Sequence, residues 1–106
     1  VQVVVDMKAE PPTVVLEEPA DCGRFHVAVR GSADALALDA VLRAQGVGTL
    51  DGDGEALVAV DAVRRLAAGM VDDTWEPAFA AMLDYAGSKG WLSDDGASIR
   101  AHVERG

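Results

Sequence analysis

"RFHVAVR", Arg24 to Arg30, alternates strictly: Phe25, Val27 and Val29 fall on one side of an extended chain, and Arg24, His26, Ala28 and Arg30 on the other. A period of two marks a strand with one buried face, because successive side chains of extended backbone point to opposite sides of a sheet. One face of a β layer is therefore core and the other meets solvent. Upstream, Val14 to Glu18 is also β-rich, and "PADCG" (19–23) between the two runs contains Pro and Gly, both turn formers. The two runs are expected to pair as a hairpin.

Working toward the C-terminus, Ser32 offers an N-cap to "ADALALDAVLRAQ" (33–45), in which Leu38, Val41 and Leu42 share a face and Asp39 and Arg43 form an i,i+4 ion pair. Gly46 ends this helix as the residue that accepts a left-handed backbone. "VGTL" (47–50) and "EALVAV" (55–60) then flank "DGDG" (51–54). The alternate acids Asp51, Asp53 and Glu55 raise the question of a calcium loop. Such a loop needs Gly at its sixth position and Glu at its twelfth, and counting from Asp51 both positions hold Ala, Ala56 and Ala62. Asp-Gly between two β runs is instead a strong hairpin signal, since Gly accepts the positive φ that tight hairpin turns impose.

Asp61 can cap a short helix over "AVRRLAAG" (62–69). "DDTWEPAFAAMLDYAGSKG" (72–90) follows, with Asp73 and Glu76 spaced as a capping box and Pro77 in the first turn. Trp75, Phe79, Met82, Leu83 and Ala86 recur at helical spacing and make the largest apolar stripe of the chain. Trp91 and Leu92 lead into a last predicted helix capped by Ser93, with Asp94 and Asp95 in its first turn and Ile99 and Val103 inward. The expected order is ββαββααα: a single α+β domain over residues 1–106, with an antiparallel sheet of two hairpins, four to five strands, covered on one face by about four helices. Residues 1–12 read as a flexible or vector-derived lead, with Met7 a candidate initiator; if Val1 to Val5 is native, it adds an edge strand.

With 106 residues, half of them apolar, the chain is long enough to bury a core without disulfides. The lone Cys22 has no intramolecular partner, which favours a reducing, cytoplasmic setting. The start of the chain resembles neither a signal peptide nor a membrane span. A net charge of −9 repels phosphate backbones and anionic bilayers, so neither nucleic acid nor membrane is an expected partner.

Chemical constellations are sparse. Cys22 and His26, four apart in an extended segment, would be about 13 Å apart, too far for a nucleophile and its base. Cys22, His26 and His102 lack the paired spacing of a metal site, and no cofactor motif is present, since "RGSADALALDA" (30–40) has a single Gly between strand and helix. The doublets Glu17–Glu18, Asp72–Asp73 and Asp94–Asp95 are accounted for largely by helix capping. The oddest feature is the solvent face of 24–30, where Arg24, His26 and Arg30 concentrate much of a small stock of bases. They either pair across strands with Glu17 or form a patch that takes an anion or an acidic partner. Trp75, Trp91 and Tyr85 are candidate interface or pocket residues.

With no catalytic signature and a sheet expected to leave edges and one face uncovered, the leading expectation is a small acidic interaction module, homodimeric and without catalytic machinery. The runner-up is a cofactor-independent enzyme or small-ligand binder, with a pocket between the sheet and the C-terminal helices and His26, His102 or Tyr85 as its polar group. A weaker alternative is an acidic antagonist of a basic protein.

Overall fold

The computed structural model describes residues 1–19, 21, 25–32, 34–52 and 54–105. Its elements are β1 (Gln2–Asp6), β2 (Thr13–Glu17), β3 (His26–Arg30), α1 (Ala35–Ala44), β4 (Gly48–Asp51), β5 (Glu55–Ala59), α2 (Val60–Ala67), α3 (Trp75–Ser88) and β6 (Ser98–Arg105). The strands form one six-stranded sheet in the order β2-β1-β3-β6-β5-β4. β1 runs parallel to β3, and β3 parallel to β6, while the β1–β2, β4–β5 and β5–β6 pairs are antiparallel. The domain is thus α+β as expected, but the sheet is mixed, with six strands rather than four to five, three helices rather than four, and the order βββαββααβ.

Three corrections account for this difference. The first is β1, which is an interior strand and neither a loose lead nor an edge. Val3, Val4 and Val5 are all fully buried, as suits a strand with a neighbour on each side, Val3 and Val5 belonging to the core under the helices and Val4 to the opposite face. The second correction follows from it: β2 and β3 do not pair with each other, because β1 lies between them and pairs with both. The eight residues from Glu18 to Phe25 easily cross the two strand spacings involved, about 10 Å.

The third correction is at the C-terminal end, where the predicted helix is β6. Ile99, Ala101 and Val103 are buried, and Arg100, His102 and Glu104 are exposed. Ile99 and Val103 lie four apart and satisfy a helical and an extended period alike; Ala101 between them belongs only to the extended one. Ser93 and Asp95 build a turn here, not a cap. Ala97 N donates to Asp95 Oδ1 at 3.0 Å and Ser98 N to Ser93 Oγ at 3.0 Å, and Leu92 bridges back to Ile99.

The alternation of 25–29 holds: Val27 and Val29 are buried and Phe25 packs against the core. Leu38 and Leu42 of α1, Val60, Val63 and Ala67 of α2, and Trp75, Phe79 and Ala86 of α3 join one cluster with Val3, Val5, Leu16, Val27, Val29, Ala56, Val58, Ile99, Ala101 and Val103. Along β1, β3, β5 and β6 these are alternate residues of one set, so the described helices cover one face of the sheet and leave the other without a helix. The expected α3 stripe is present, with Trp75 stacked on Phe79 at 4.6 Å between ring centres.

Local caps differ from expectation. Asp34, not Ser32, caps α1, its carboxylate accepting from Ala37 N at 2.8 Å. Asp61 falls inside the first turn of α2. Glu76 does not close a box with Asp73, because it is engaged by Arg64 Nε at 2.8 Å. The β4–β5 hairpin matches its reading, closing on the Asp51–Glu55 pair with Gly52 at φ 77°.

Candidate interaction surface

The open face is written by strand register. One row crosses the whole sheet: Glu17 of β2, Gln2 of β1, His26 of β3, His102 of β6, Glu55 of β5 and Asp51 of β4 are successive partners. A second row places Val15, Val4, Ala28 and Glu104 side by side. Acids therefore end the first row and two imidazoles occupy its centre.

Arg30, Arg100 and His26 of the open face each reach a carboxylate. Arg30 Nη2 lies 3.0 Å from Glu17 Oε1, which also accepts from Gln2 Nε2 at 3.2 Å. Arg100 Nη1 stands between Asp51 Oδ2 at 3.0 Å and Glu55 Oε1 at 3.6 Å. His26 Nε2 is 3.4 Å from Glu104 Oε2, an ion pair whenever the imidazole is protonated. Pairing of Arg30 with Glu17 follows the cross-strand alternative, although it reaches over β1. Arg24 and Cys22 lie outside the described residues, as does Asp53 of the acidic hairpin. Arg64 and Arg65 do not extend this surface: they belong to α2 on the covered face, where Arg65 Nη2 donates to Gln45 O at 3.0 Å.

The aromatic candidates separate into two places. Trp75 is core: its Nε1 donates to Pro19 O at 2.6 Å and its ring stacks on Phe79. Tyr85 and Trp91 are exposed and meet edge to face at 5.9 Å, with Lys89 Nζ 5.5 Å from the Tyr85 ring centre. Ten residues of helix separate Trp75 from Tyr85, about 15 Å. His26 and His102 sit on the open face, away from the helix layer, so the structure does not bring either together with Tyr85.

A cleft of about 250 Å³ opens beside Trp75, bordered by Pro19, Met70, Val71 and Asp72. The Thr74 hydroxyl and N–H hold the Asp72 carboxyl below the usual carboxylate range. The carboxyl of Asp95 is lowered likewise by Ser93 and Ala97 N–H. Among the described residues no three His, Cys, Asp or Glu side chains converge as metal ligands, and no buried side-chain polar atom lacks a hydrogen-bond partner.

The two edges of the sheet are the remaining surfaces. β4 pairs with β5 on one side, and on the other its Leu50 N–H donates to Asp39 Oδ1 of α1 at 2.9 Å. Arg43 Nε holds the other oxygen of that carboxylate at 2.7 Å. The Leu50 N–H, then Arg43, keep the Asp39 carboxyl below its ordinary value. Among the described residues β2 pairs with β1 alone, and Val15 on it is 45 % exposed. The sequence points to β2 as a strand but not as an edge, because its position depends on β1.

No family model, no curated protein and no solved structure matches this chain.

Proposed function

We propose that this chain is a small cytoplasmic protein-interaction module that works as a homodimer and has no catalytic machinery of its own. The observation that carries the reading is the outer side of β2, which has no strand partner among the described residues, on a sheet whose other edge is met by Asp39. An edge strand presents a row of unpaired N–H and C=O groups and is a template for another strand. Closed two-fold pairing is the commonest way for such a surface to be satisfied. The open face adds a polar surface of mutually neutralised ion pairs, which suits a protein partner better than a polyanion.

Size-exclusion chromatography with light scattering tests this directly. The expected result is twice the chain mass at micromolar concentration; a monomer under those conditions sinks the reading.

The small-ligand reading draws on the cleft beside Trp75. Its volume, about 250 Å³, lies below the range of roughly 300–1,000 Å³ usual for ligand pockets, and the dimer reading is preferred on that ground.

A further inference from the structure

We propose that two copies of this chain join edge to edge through β2, antiparallel, about a two-fold axis that passes beside Val15. The inference rests on the homodimer reading above and adds the surface and its register.

The strand "TVVLE" (13–17) is self-complementary when reversed. With Val15 opposite its own copy, Val14 faces Leu16 of the second copy, and Thr13 faces Glu17. Apolar residues thus meet apolar ones and polar residues meet polar ones. Val14 and Leu16 pack toward the helix-covered side in each copy, and a two-fold axis perpendicular to the sheet keeps both helix layers on that side. A shift of one residue would put core-facing side chains opposite open-face ones, which a half-buried strand resists.

Three further features fit pairing at this edge. Pro11, Pro12 and Pro19 flank the strand, and because proline lacks an N–H they bound the pairing segment to its five residues. Glu17, the one charge of β2, is neutralised within its own copy by Arg30 at 3.0 Å, so the edge does not carry the repulsion that keeps charged edges apart. The surface past the strand is also concave. The cleft reached at Pro19, two residues beyond Glu17, is bordered by the exposed Met70 (52 %) as well as by Asp72 and Thr74, and offers area that a five-residue edge lacks by itself.

Disulfide trapping reads the register. In full-length protein carrying Cys22→Ser, Val15→Cys is expected to form a disulfide-linked dimer on mild oxidation, because residues opposite one another in antiparallel strands have Cα atoms about 4.5–5.5 Å apart, within disulfide reach. Thr13→Cys alone should remain uncrosslinked, its two copies being about 14 Å apart along the strands. Thr13→Cys combined with Glu17→Cys should restore cross-linking and serves as an independent second variant. Far-ultraviolet circular dichroism checks that each variant is folded. If folded Val15→Cys and the double variant both stay uncrosslinked while the parent chain scatters as a dimer, the interface lies elsewhere and this inference fails although the homodimer reading stands. Equal cross-linking of Thr13→Cys alone overturns the register. A monomeric parent chain overturns both.

Discussion

β2 and β4 both flank the sheet, yet their outer sides are finished in opposite ways. β4 lies under α1, gives its Leu50 N–H to Asp39, and has that carboxylate pinned by Arg43. β2 is rooted in the core by Leu16 on its inner face, has no strand partner on its outer side among the described residues, and carries a half-exposed Val15 on the open face. The contrast teaches that the edge problem is solved locally, by one side chain, where the chain has a helix to place there. β2 has no such side-chain bond to its backbone among the described residues, and it is the edge proposed above to pair with a second copy.

Four perturbations probe this contrast, the largest first. Leu16→Ala removes the anchor of β2 and is expected to cost about 3 kcal/mol in urea denaturation, the usual range for a buried leucine; a negligible cost would mean that β2 is not part of the cooperative core. Gly48→Ala attacks the other edge. A Cβ there would lie 2.0 Å from the carbonyl oxygen of Leu57, so β4 has to move off β5, at about 2 kcal/mol in the same measurement.

Asp39→Asn is the milder test of the guard itself. Because the folded-state carboxyl is lowered from 3.8, its contribution is fully present above that unfolded value and disappears as pH falls through the folded one. The variant should therefore be less stable than the parent at neutral pH and show a shallower loss of stability on acidification below about pH 4, followed by thermal melting across that range. Parallel acid limbs for the two proteins would refute a role for the ionised guard.

Val15→Lys should have the smallest effect on the fold, within about 0.5 kcal/mol for an exposed site, while converting the light-scattering dimer to monomer by placing two like charges against each other. Loss of stability without loss of the dimer would reverse the assignment of β2.

Much of the covered face was legible in the sequence. The strict alternation of Phe25 to Val29 and the Trp75–Phe79–Ala86 stripe each show a single period, the Asp-Gly pair between Thr49 and Leu57 is a local turn signal, and each reads correctly. The N-terminal arrangement was not legible, since "VQVVV" has no alternation and its partners, β2 and β3, looked like a hairpin in their own right. Residues 98–105 failed for a different reason, because Ile99 and Val103 at a spacing of four fit either period. That misreading hid His102, Glu104 and Arg100, and with them the partner of His26 and the centre of the open face. Trp75, Trp91 and Tyr85 were recognisable as notable residues, but only the fold separates the buried indole from the exposed pair.

The position of β6 governs how this protein can be made. β3 and β5 are each hydrogen-bonded to β6 and not to one another, so the two halves of the sheet have no shared ladder until Ser98–Arg105 has left the ribosome. Before that moment the nascent chain holds two separate hairpin-containing fragments, each with an unfilled flank, and such species are prone to stick to other chains. Closure joins residues far apart in sequence, contacts whose loop-closure entropy is met only when Ser98–Arg105 enters the sheet.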